Sequence, residues 1–153
     1  MDGVYFQRNS LNKNHMLRLS LLAGSAFLLF LLLDLMWFKL AGGFFKSEVG
    51  SIVRLTAEGE WNVRTGAALL AYVFMALGVV AFVLPQGTNL FTTVLYGGLF
   101  GLVSFGIFDL TNLAILSAWT TRFVVVDMAW GMTANALVAS ALWYISHIVP
   151  PRG

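Results

Sequence analysis

The chain has 153 residues, 59% of them apolar and 10% charged, with a formal charge of +2 and no cysteine; its mean hydropathy is +0.82. Soluble domains average roughly 25% charged residues, so this chain lacks the polar surface of a water-soluble globule and reads as an integral membrane protein. Disorder, a nucleic-acid partner, a disulfide scaffold and thiolate chemistry are excluded on the same grounds.

Residues 1–16 form a polar N-terminal segment with Arg8 and Lys13. The first helix is expected over about 17–40, its apolar block Leu19–Leu33 meeting Asp34. About 20 apolar residues cover roughly 30 Å of hydrocarbon, which this stretch satisfies. Cations before an apolar block also open secretory signals, but the block continues past Ala23-Gly24-Ser25-Ala26 and further spans follow, so it reads as a first anchor. Residues 41–64 make the longest polar excursion. There Phe45, Val49, Ile52, Val53 and Thr56 fall at helical spacing, which suits a short amphipathic helix on the interface or an ordinary solvated loop. The second helix is expected over 65–84, ended by Pro85-Gln86-Gly87-Thr88-Asn89, where proline removes a donor and glycine permits reversal. The third spans about 91–116 and the fourth 123–148, with Pro150-Pro151 as terminator and 150–153 as tail. Strand alternation is absent, which argues against a barrel. The fold expected is all-α: a four-helix transmembrane bundle over 17–149 with one longer interfacial loop between helices one and two.

An even number of spans puts both termini on one side. Arg8, Lys13 and Arg18 precede the first helix, which usually sets orientation, so the termini are expected on the cytoplasmic side of a bacterial inner membrane. The opposite face carries Lys39, Lys46, Arg54, Arg64 and Arg122, mixed with Glu48, Glu58 and Glu60.

Antiparallel helices bring Asp34, Asp109 and Asp127 to the same leaflet, each about 6 to 10 Å below the interface by the helical rise. An aspartate at the centre of a spanning helix costs about 2.5 to 3.5 kcal/mol on insertion scales, less nearer the interface. Three of them must therefore turn into the bundle, pair with donors, or wet a site. Asp34-Leu-Met-Trp37 and Asp127-Met-Ala-Trp130 repeat one spacing, and Asp109-Leu-Thr-Asn112 sets an amide at the same offset. Residues i and i+3 share a helix face, so an indole or amide N–H is expected beside each acid, within aromatic walls. Asn135, two turns beyond Asp127, extends the polar stripe, while Arg122, Arg64 and Lys39 lie at the same end as candidate counter-ions. The alternative is a decorated rim: acids capping helices and pairing with Arg64 and Arg122, tryptophans forming an interfacial belt.

Gly97-x-x-x-Gly101, with Gly98 and Gly106, marks a close helix approach, more simply packing than dimerisation. His15 and His147 lie at the termini end, away from the acids, so a zinc set is not expected. Ser104 and Thr111 lack an adjacent base, Gly106-Ile-Phe-Asp109 lacks the glycine directly before aspartate of intramembrane aspartyl proteases, and no phosphate-cradling glycine loop occurs. No nucleophile or hydrolase motif is evident, and whether the chain is an enzyme stays open.

The string Gly101-Leu-Val-Ser-Phe-Gly-Ile-Phe-Asp109-Leu-Thr-Asn112-Leu-Ala-Ile-Leu116, then Trp119 and Val126-Asp127-Met-Ala-Trp130-Gly131, resembles a family of small predicted bacterial membrane proteins of unknown function. Its members carry an aspartate and a tryptophan late in the first helix, Tyr-Asp-Leu-Thr-Asn-Leu-Ala-Thr-Leu in the third and Asp-x-x-Trp-Gly in the fourth. The resemblance covers residues 28–145; Phe108 stands for the usual tyrosine and Ile115 for the usual threonine, which argues against a hydroxyl role there. It implies a four-helix inner-membrane protein and marks Asp34, Trp37, Asp109, Asn112, Trp119, Asp127, Trp130 and Gly131 as family positions. It implies no activity.

Three functions fit these residues. The first is a binding or carrier protein whose acids take up a proton, a hard cation or a small amine or lipid ligand near one face, with Trp119, Arg122, Arg64 and Gly131 in support. No cofactor is evident, although oxygen ligands on Asp34, Asp109 and Asp127 would favour magnesium, calcium or manganese. Four helices offer little for alternating access, so transport calls for a homodimer. The second is a lipid-directed enzyme or binding module using an aspartate as acid or base on membrane lipid. The third is an accessory subunit of a larger complex.

Overall fold

The computed structural model describes the backbone of residues 2–148 and the side chains of residues 14–148. It contains four long α-helices, α1 (Asp2–Val49), α2 (Thr65–Gly78), α3 (Leu90–Ile115) and α4 (Thr121–Ile148). Four stretches of the described residues are long and apolar enough to cross a membrane: Asn14–Val49, Thr65–Gln86 (α2 with the turns that follow it), Leu90–Ile115 and Thr121–Ile148. No strand occurs among the described residues. The architecture is the four-helix bundle expected from the sequence, with differences at particular helix ends.

The first helix exceeds its expected bounds of 17–40 at both ends. It includes most of the polar N-terminal segment, and it absorbs Phe45 and Val49, which the sequence pattern puts in the loop. The cause is packing: Phe45 and Val49 are buried against Phe123 of α4, so the helix gains by continuing until those side chains are covered. At 1.5 Å per residue it is about 70 Å long, more than twice the hydrocarbon thickness. The remaining loop is neither an amphipathic helix nor open coil. Leu55 and Trp61 form an isolated antiparallel bridge, and Gly59 turns the chain at φ 80°. Lys46 fastens this hairpin to α1, its Nζ donating to the Gly59 carbonyl at 2.7 Å and lying 3.8 Å from Glu60.

The break after α2 falls where proline and glycine predict it. The last turns widen into a π-helical turn, Val79–Val83, and tighten to a 3-10 turn, Leu84–Gln86, before Asn89 starts α3 through a reciprocal capping box with Thr92. Gly87 is needed there because a Cβ would lie 2.0 Å from the Thr93 hydroxyl. Thr120 caps α4 by accepting from the Phe123 N–H and ties it to α1 by donating to Glu48 at 2.5 Å. Pro150-Pro151 and the tail lie outside the described residues.

Two apolar clusters hold the bundle. One joins Leu22, Ala26 and Phe30 of α1 to Val79 and Val83 of the π turn and Val138 and Leu142 of α4. The other joins Phe45 and Val49 to Phe123, with Trp37, Trp61 and Trp119 around them. At the chain-end side, Arg18 donates to the Ser146 carbonyl at 3.0 Å, fixing the start of the first span beside the end of the fourth. On α1 Asp34 falls between Phe30 of one cluster and Trp37 of the other, and on α4 Asp127 and Trp130 fall between Phe123 and Val138.

The α3–α4 seam is the tightest contact. Gly101 lies so close to α4 that a Cβ would meet the Gly131 carbonyl oxygen at 2.1 Å, and a Cβ on Gly97 would meet Ala139 at 2.6 Å. Gly97 and Gly101 thus admit the α4 backbone within the chain, whereas a Cβ on Gly98 or Gly106 would meet nothing nearer than a Met132 or Met128 side-chain atom, at 3.5 and 3.1 Å.

Candidate functional site

The layer between the clusters contains two adjoining cavities, of about 290 and 560 Å³. Asp34 and Asp127 line both, with the rings of Phe105 and Phe108 between them. The smaller cavity lies under the hairpin and is walled by Trp37, Trp61, Trp119, Trp130 and neighbouring phenylalanines. The larger extends between α2 and α3 and is walled by Phe30, Tyr72, Phe74 and Phe100. Both fall near the size range of small-ligand sites, mostly apolar with a few convergent polar groups.

The D-x-x-W pairs interlock across helices. Because α1 and α4 run antiparallel, Trp130 comes to sit beside the aspartate of the other helix. Trp130 Nε1 donates to Asp34 Oδ1 at 2.9 Å, and the Trp37 and Trp130 rings stack at 4.5 Å with planes 4° apart. The expectation that each acid meets the indole of its own helix is corrected here: a side chain at i+3 shares the face but projects toward the neighbouring helix.

Asp109 takes a different place from the other two acids. It is fully buried, lines neither cavity, and faces Trp119 and the Asp127 carboxyl without reaching hydrogen-bond geometry with either. Its two oxygens, the Trp119 Nε1 and the Trp37 Nε1 are buried polar atoms without a partner. Asp127 is 9% exposed and within electrostatic reach of both Asp109 and Asp34. The three carboxyl groups therefore form a chain, Asp34–Asp127–Asp109, with two members on the cavities and the third behind.

Other expected site residues lie elsewhere. Asn135 is buried in the α3–α4 seam, its amide donating to the Gly131 carbonyl at 2.8 Å, so it belongs to packing. Gly131 admits the Phe105 ring, since a Cβ would lie 2.2 Å from it, and so shapes the cavity wall indirectly. Asn112 lines neither cavity. Arg122 points outward and pairs with Glu48 at 3.3 Å, and Arg64 and Lys39 are exposed. Among the described residues neither ion pair involves an aspartate, so the cations expected as counter-ions do not serve as such, and the rim of salt bridges is not formed. Among the described residues no three acid or histidine groups come together to hold a metal ion.

Tyr72 is the site residue that the sequence did not reveal. Its hydroxyl faces Asp34 from α2, across the larger cavity. The second helix carries no charge and no motif, so only the rarity of a hydroxyl-bearing aromatic ring within it could have drawn notice.

A family model described as "predicted membrane protein (DUF2177)" matches residues 19–144, and the chain belongs to that family. No curated protein and no solved structure matches the chain.

Proposed function

From membership in a family of predicted membrane proteins, we propose that the chain binds a small organic cation, a protonated amine, within the bilayer. One observation carries this reading: two carboxyl groups, Asp34 and Asp127, sit on cavities walled by aromatic rings and have no cation paired to them among the described residues. An ammonium group supplies the charge these acids lack. It also draws on the negative faces of tryptophan and tyrosine, at about 0.5 to 2 kcal/mol per ring, whereas a hard metal ion needs oxygen ligands that the phenylalanines and tryptophans do not offer. Asp109, behind Asp127, makes proton exchange a natural companion: an ammonium docking on Asp127 competes with a proton held anywhere in the interacting pair.

The test uses the full chain in lipid nanodiscs and n-butylammonium as probe, followed by tryptophan fluorescence and calorimetry. Binding is expected, accompanied by proton release, with at least a tenfold loss in Asp34→Asn and in Asp127→Asn while the helical circular-dichroism spectrum is unchanged. Equal binding by wild type and both variants would remove the carboxyl groups from the site.

This reading places the chain in a bacterial inner membrane with both ends cytoplasmic, so the cavities lie beneath the opposite leaflet. Support comes from Arg8, Lys13 and Arg18 ahead of the first span.

A further inference from the structure

The larger cavity is open on one side. Phe74 of α2 and Phe108 of α3 both line it, yet are 66% and 55% exposed. Along Thr65–Gly78, α2 packs on α1 and stays apart from α3; the two come together only at the far end, where the Phe100 ring lies over Gly78 and the Val79–Val83 turn meets α3. The result is a slot between two spans, wide at the level of the aspartates and closed below. Its walls are apolar apart from Asp34, Asp127, Tyr72 and Ser104, and the Ser104 hydroxyl is already committed to the Phe100 carbonyl at 2.7 Å.

Resting on the reading of the site as an amine pocket, we infer that its ligand is a lipid-soluble alkylammonium amphiphile that enters sideways from the bilayer through the α2–α3 slot. The head goes to the Asp34–Asp127 pair, where both cavities meet. The alkyl chain fills the larger cavity and leaves between Phe74 and Phe108. Charge sets the head end: carboxyl groups with no cation paired to them among the described residues lie at the inner end of a mostly apolar channel. The same charge argues against an anionic or phosphodiester head, because among the described residues no lysine or arginine lines either cavity. The route also avoids taking a long apolar chain through water, which costs about 0.8 kcal/mol per methylene.

The experiment compares n-butylammonium with n-dodecylammonium on the full chain in nanodiscs, by native mass spectrometry and competition. Dodecylammonium is expected to bind at least tenfold more tightly. Ala71→Phe, on the α2 wall, and Ser104→Phe, on the α3 wall, fill the slot and should weaken dodecylammonium binding at least tenfold more than butylammonium binding. Because the chain has no cysteine, Phe74→Cys with Phe108→Cys allows a bifunctional thiol reagent to close the mouth of the folded protein, and dodecylammonium binding is expected to fall on cross-linking relative to the same variant left open. Equal affinity for the two amines, or dodecylammonium binding indifferent to filling and cross-linking, overturns the lateral route while the amine pocket stands. Failure of both amines to bind overturns the pocket itself and the inference with it.

Discussion

Asp109 separates chemistry from architecture at the scale of one side chain. A fully buried carboxyl whose oxygens have no hydrogen-bond partner costs about 1 to 3 kcal/mol relative to a satisfied or apolar group. Asp109→Leu is therefore expected to stabilise the bundle by that amount, read as a higher midpoint of thermal unfolding in detergent, and to remove the proton release that accompanies amine binding. A lower midpoint would mean that the acid serves packing. The sequence disclosed this residue and its two partners because charges are so rare in the spans that each one marks itself. It did not disclose that Asp109 stands behind the cavity while Asp34 and Asp127 line it, since equal depth along a helix says nothing about rotation around its axis. The same limit put Asn135 in the polar stripe when it faces the glycine seam.

Between elements, close approach decides what can change. Gly101 meets α4 backbone to backbone, so relief after adding a methyl requires moving a whole helix. Gly101→Ala is expected to cost about 1 to 3 kcal/mol in unfolding free energy, occasionally more, and to shift Gly131 and with it the Phe105 ring on the cavity wall. By contrast Gly98→Ala, whose Cβ would meet nothing nearer than 3.5 Å, should leave the midpoint nearly unchanged. Gly-x-x-x-Gly was legible as a packing face from spacing alone. The helix ends were less so: α1 runs to Val49 because Phe123, more than seventy residues away in sequence, covers Phe45 and Val49, and no local signal carries that information.

For the molecule as a whole, four spans and the Arg18–Ser146 contact set the start of the first span and the end of the fourth on one side. Fusions after residue 153 test the side directly. A fluorescent-protein fusion is expected to glow and an alkaline-phosphatase fusion to stay inactive, as for a cytoplasmic end; the opposite pattern would put the cavities beneath the cytoplasmic leaflet. The count of spans and their order were readable from hydropathy, which depends on composition. The slot was not, because it arises from how far two helices diverge.

The slot closes at the turn Val79–Val83, where the second span meets α3. A π-helical turn carries one residue more than the α-helical ladder needs, so it acts as a phase shift between the half of α2 that meets the acids and the half that meets the core. Excising one residue, for instance Ala81, would let the ladder close regularly and turn Thr65–Gly78 by about 100° about its axis. Tyr72 would then leave Asp34, and the shortened chain should still insert and fold yet bind no amine. The angular register of a single uncharged segment would thereby prove to be the setting on which recognition depends.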